Sequence, residues 1–111
     1  MKYPGALIDV DGLCNTGEEL GLIWADMDAA HRALDDATKS VLARCKGKYG
    51  GSDAACTAEA LRDDEYLGHL KALAAARVAA SKARVRYDMH KVRIELTRSN
   101  ASTERAQMGL R

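Results

Sequence analysis

Residues 6–13 read Ala-Leu-Ile-Asp-Val-Asp-Gly-Leu, and two folds compete for them. As a strand running into a phosphate loop, they would set Asp9 and Asp11 at the mouth of a catalytic site. As part of a helix, they put Val10 and Leu13 in phase with the next thirty residues of the chain. Gly17, Leu20, Trp24, Met27, His31, Leu34, Thr38, Val41 and Cys45 continue the alternation of three and four residues without a slip. A heptad seam of about five repeats is a helical signature, and a strand has no reason to share its phase. Pro4 suits a first helical turn, where a missing N–H is no loss. Gly47, Gly50 and Gly51 end the pattern, with Lys46 and Lys48 near the negative end of the helix dipole. The pattern predicts one helix from about residue 4 to 46. Its weak point is Asn15-Thr16-Gly17, where Thr16 and Glu19 form a capping box that would allow a restart.

The second half repeats the argument. Asp63 is a good N-cap, and Asp64 and Glu65 fall in the first turn, facing the positive end of the dipole. Leu67, Leu70, Ala74, Val78, Ser81, Val85, Met89, Val92 and Leu96 then recur with an eleven-residue period, which favours nearly straight packing. Asn100, Thr103 and Gln107 make the seam polar, so burial is expected to end near Leu96, with 99–111 as a fraying tail. Between the two arms, residues 47–62 hold a Gly-rich turn and a short helix that Asp53 could cap, through Leu61.

Composition agrees. The 111 residues include one proline and no phenylalanine, and the abundant Ala, Leu and Arg are helix formers. Nothing resembles a signal peptide or a membrane span. Cys14, Cys45 and Cys56 are odd in number and widely spaced, which is no disulfide framework and points to a reducing cytoplasm. His31, His69 and His90 are equally scattered, so neither a metal site nor a cofactor is expected. His31 and His90 fall on or beside the seams, as interior imidazoles.

Charge is unevenly spread. Up to Leu70 acids outnumber bases about two to one; from Lys71 onward ten Lys and Arg face only Asp88, Glu95 and Glu104. Arg77, Arg84, Lys91 and Arg98 run along one side of the second seam. Lys71, Lys82, Arg86 and Arg93 run along the other. On the first helix Glu19 and Asp26 flank one side, Asp28 and Asp35 the other. Flanking charges of this kind choose partner and orientation in paired helices. The surplus of bases also makes Arg77, Arg84, Lys91, Arg98, Lys82, Arg86 and Arg93 the candidate surface for a protein partner or for nucleic acid. Tyr87 is the only aromatic among them, which is poor for stacking on single strands.

Asp9 and Asp11 in DxDG match the nucleophile loop of haloacid-dehalogenase-type phosphatases. That family also needs a downstream lysine and acids on later strands, and no strand–helix alternation is visible to carry them. An aspartate-based phosphatase is therefore the remote alternative, and solvent-facing helical aspartates are the ordinary reading.

The stretch from Ala60 to Met108, ALRDDEYLGHLKALAAARVAASKARVRYDMHKVRIELTRSNASTERAQM, resembles small helical proteins of tailed bacteriophages and prophages. Those show an Asp-Pro-x-Tyr-like helix start, an Ala-rich segment, an Ala-Arg-Val-x-Tyr block and a Lys-x-Arg-Ile-Glu-Leu block. LGLIWADMDAAHRALDDATKSVLARCK is similar to their first helix. Here Asp64 stands where proline is common. The resemblance implies a place among phage early genes, near replication and recombination functions, and carries no catalytic residues.

Together these readings predict a single all-α domain. Two long antiparallel helices form a hairpin with a short helix or loop between them, and a homodimer completes a four-helix arrangement. Leu20, Trp24, Met27, Leu34, Val41, Leu67, Leu70, Val78, Val85, Met89, Val92 and Leu96 are its hairpin or dimer seam. The expected function is non-enzymatic: binding of protein, DNA or both in phage replication or recombination, in the host cytoplasm. The alternative is an inhibitor of a host defence nuclease or effector complex.

Overall fold

A computed structural model of the chain describes residues 10–109. Among the described residues there are three helices and no strand: α1, Val10–Lys46; α2, Asp53–Ala60; and α3, Asp64–Gly109. The protein is all-α, with two long helices and a short one between them. Pro4, Leu7 and Asp9 lie outside the described residues. α1 is continuous through Gly12, Asn15, Thr16 and Gly17, so no restart occurs at Thr16. α2 begins one residue earlier than expected: Ser52, not Asp53, is its N-cap, and the Ser52 hydroxyl accepts the Ala55 N–H at 3.2 Å. α3, expected over 63–98 or beyond, is helical through Gly109 and so includes most of the stretch read as a tail. Thr97 is the last half-buried residue on it.

The described residues divide into two compact units, one built from 10–24 with 82–109 and the other from 25–81. In each, segments of α1 and α3 lie antiparallel. In the 25–81 unit Thr38 meets His69 and Arg44 meets Glu65. Val41, Cys45 and Ala60 form its core, with Leu42 and Tyr66 packed against them. The His69 ring N–H donates to the Thr38 hydroxyl at 2.9 Å, and that hydroxyl donates to the Leu34 carbonyl at 3.1 Å. In the 10–24/82–109 unit Gly17 meets His90, and Gly21 meets Tyr87. Trp24 stacks on Tyr87 with ring centroids 5.9 Å apart, and the Arg84 guanidinium lies 5.7 Å from the Trp24 ring centroid. Trp24 is therefore a packing residue.

The first seam faces inward: from Leu13 to Cys45 every seam position is buried or half-buried except Met27. The second does not form the contact with α1. Leu67, Val78, Val85, Met89, Val92 and Leu96 are all exposed, and of the expected seam only Leu70 is half-buried. The face of α3 turned inward carries Tyr66, His69, Leu73, Ala76, Ala80, Ala83, Tyr87, His90, Ile94 and Thr97, all buried or half-buried. These alternate three and four apart, a heptad in place of the eleven-residue period. From Ala83 to Ile94 each residue of this true seam lies two positions before one of the outer row, Val85, Met89, Val92 and Leu96, and two residues on a helix turn about 200°. The apolar row therefore looks away from the seam.

Within the 25–81 unit, the start of α3 fixes which of its sides meets α1. Asp63 is buried and held by four groups, and His69 is tied to Thr38. With these set, Tyr66, His69 and Leu73 must face α1 in the 25–81 unit. Farther along, small side chains on one helix meet large ones on the other. Gly17 and Gly21 give His90 and Tyr87 a bare stretch of α1 backbone, and Ala80 and Ala83, among the most buried residues of α3, keep its own face narrow.

Candidate interaction surface

α3 carries two seams and uses one. On the outer one, Val85, Met89, Val92 and Leu96 follow each other at spacings of four, three and four, and are 47% to 62% exposed. Single exposed apolar residues are ordinary on protein surfaces. A row with heptad spacing on one helix face is the pattern that helix-on-helix contacts use.

Bases flank the row on both sides, and the structure sorts them. Lys82, Arg86 and Arg93 line one side, exposed and without an ion pair among the described residues. On the other side Arg84 lies over Trp24 and approaches Asp88 at 3.7 Å, while the Lys91 ammonium stands 4.8 Å from the Tyr87 ring centroid and 3.5 Å from Asp88. These two are partly committed within the chain. Arg98 borders a cavity of about 410 Å³ that Leu13, Ile94 and Arg105 also line. Arg77 belongs to the other unit and is exposed.

The ion pairs expected between these bases and the acids of α1 do not form among the described residues. Asp28 pairs with Arg32 one turn along the same helix, at 2.9 Å. Glu19, Asp26 and Asp35 are exposed and make no ion pair among the described residues. On one flank Lys82, Arg86 and Arg93 are exposed to solvent, and on the other Arg84 meets α1 through the Trp24 ring and not through an acid. Acids on one helix and bases on the other are thus both left facing solvent.

The pairs that do join the helices cluster at the turn, with signs reversed. Arg44 at the end of α1 meets Glu65 at 2.6 Å, and Lys48 meets Glu65 at 2.8 Å and Asp63 at 3.1 Å. The Tyr49 hydroxyl donates to Asp63 at 2.6 Å, and the Glu65 backbone N–H donates to it at 2.8 Å. The expected N-cap is therefore present, and it does more than cap. The Tyr49 hydroxyl, with Lys48 and the Glu65 amide, holds the Asp63 carboxyl far below the usual carboxylate range, against the opposing effect of burial. Lys48 and then Arg44 bring Glu65 down to about 2. The bonds to Glu65 and Asp63 raise Lys48 well above its ordinary value.

Cys45, fully buried, donates its thiol proton toward Asp63 and Glu65 at 3.6 Å each, and burial followed by the Asp63 charge pushes that thiol up. Cys45, Asp63 and Glu65 place three possible metal-ligand atoms within 4.8 Å of one another. Lys48 already sets an ammonium on both carboxylates, so this set works as an ion-pair knot that locks the turn. Sequence reading marked Asp63 as a cap and Cys45 as a filler. It missed their meeting, because eighteen positions of chain separate them and only the antiparallel return brings them together.

Asp11 lies exposed in the first turn of α1, with no strand beside it among the described residues. No helix among the described residues is long and apolar enough to cross a membrane. Compared with known proteins, the chain matches no family model, no curated protein and no solved structure.

Proposed function

We propose that this chain is a non-enzymatic, self-associating helical accessory protein that binds protein, DNA or both through the outer face of α3. One observation carries the reading: α3 presents a second heptad row, Val85-Met89-Val92-Leu96, to solvent between two lines of bases, while its first row is spent on α1. The similarity to small phage proteins supports placing that binding among replication or recombination functions.

The test uses gel shifts on duplex DNA at two salt concentrations, with affinity capture from phage-infected cells. Phosphate contact makes affinity fall steeply with salt, and each lost base should lower the slope by about one. Met89→Glu in the outer row, or Arg86→Glu with Arg93→Glu on its flank, is expected to abolish binding. If these variants bind every partner as the parent does, the outer face is not the working surface and the reading falls.

A further inference from the structure

The charges around the outer face of α3 bear on what covers it. Two copies meeting α3 to α3 would bring Lys82, Arg86 and Arg93 toward a surface that is itself flanked by bases, an unfavourable juxtaposition of like charge. The same unit carries the complementary surface on α1. Glu19 and Leu22 each lie two positions from a seam residue, Gly17 and Leu20, and so face outward, with Glu18 and Ile23 beside them. Leu22 is 60% and Ile23 45% exposed. Neither Glu18 nor Glu19 makes an ion pair among the described residues.

We propose that the outer face of α3 over residues 82–96 docks on the outer face of α1 over residues 18–23 of a second copy of this chain. The proposal rests on the reading of that α3 face as a binding surface and names its partner. Leu22 and Ile23 seat among Val85, Met89, Val92 and Leu96, and Glu18 and Glu19 meet Arg86 and Arg93. Both outer faces point away from the contact between α1 and α3 in this unit, so one neighbour cannot cover both. The contact is head to tail. Each added copy leaves one acidic and one basic face free, and association continues past the dimer as concentration rises.

The test combines solution mass with directed cross-linking in the full chain carrying Cys14→Ser. Leu22→Cys and Met89→Cys are made as separate proteins, mixed and oxidised. The mixture is expected to give a mixed disulfide dimer that neither protein gives alone. Light scattering of the parent should show mass rising with concentration and falling with added salt. Glu18→Lys with Glu19→Lys, and Arg86→Glu with Arg93→Glu, should each weaken association at least tenfold, and mixing the two should restore it. All these positions are exposed, so circular dichroism should show unchanged helix content. A dimer from Met89→Cys alone would mean a symmetric α3 contact and overturn the proposal, as would a monomer at every concentration. A monomer that still needs Met89 to bind DNA or another protein would overturn the self-docking, and self-association with it, and leave the outer face as the surface for that other partner; loss of Met89 dependence in every assay would remove the proposed binding surface as well.

Discussion

His90 lies with its ring against the bare backbone of Gly17, and its Nε2–H donates to the Leu13 carbonyl at 2.6 Å. A β-carbon at Gly17 would stand 3.1 Å from His90 Cδ2. That ring is only 7% exposed and cannot swing aside without breaking its hydrogen bond. Gly17→Ala would gain about 1 kcal/mol of helix propensity, yet overpacking a buried contact costs about 1–3 kcal/mol. The net is expected to be a loss, read as a lower midpoint in urea. Gly68 is the control: a β-carbon there meets nothing within 4 Å among the described residues, so Gly68→Ala should add about 0.5–1 kcal/mol.

Which face of α3 is the seam can be decided by exchanging side-chain size. Ala83 is 2% exposed, and Ala83→Leu should destabilise the fold by about 1–3 kcal/mol. Met89→Ala, on the opposite face, should stay within about 0.5 kcal/mol of the parent when measured at high dilution. The reverse ranking in thermal melts would put the seam where the apolar pattern alone would place it.

His31 Nε2 is buried and has no hydrogen-bond partner among the described residues. An unsatisfied buried polar atom costs about 1–3 kcal/mol, and Leu fits a seam position of α1. His31→Leu is expected to leave stability unchanged or raise it by about 1 kcal/mol, whereas His69→Leu, which strips the Thr38 hydroxyl of its donor, should lower it. Paired urea titrations compare the two.

The knot at Asp63 makes stability depend on acid in a defined direction. Asp63 and Glu65 are both held below their ordinary values, by Tyr49 and Lys48 respectively in the first place. A carboxyl depressed in the folded state contributes stability that is complete above the unfolded value and is lost as pH falls through the folded one. The melting temperature should therefore decline below about pH 4 and keep declining toward pH 2. Asp63→Asn should lower the melting temperature at neutral pH and shallow the decline. At the other end Lys48 and Tyr49 are raised, so their contribution is complete below their unfolded values and lost as pH climbs past about 10.

The three thiols should react in order of access. Cys14 is exposed, Cys56 half-buried and Cys45 buried, with its thiol pushed up by burial and the Asp63 charge. Thiolate is the reactive form. Timed alkylation with mass-spectrometric mapping should label Cys14 first, with Cys45 labelled only on unfolding; early labelling of Cys45 would contradict the packing of the turn.

By itself the sequence determined that this chain is helical, where its arms divide, and which side of the first helix turns inward. Those properties are local: propensity, the glycines after Lys46, the cap at Asp63 and the unbroken phase from Leu13 to Cys45 act within a few residues of where they are written. The rotation of α3 was not local. Its most apolar row is the stronger signal, yet Ala76, Ala80, Ala83, Tyr87 and His90 face inward. In the 25–81 unit contacts from distant residues, Lys48 and Tyr49 on Asp63 and Thr38 on His69, set which side of α3 meets α1; in the other unit Gly17 and Gly21 accept the rings of His90 and Tyr87, which a periodicity argument does not score. Only the tertiary structure could decide between the two rows, because both recur at helical spacing and shape complementarity, not hydrophobicity, separates them.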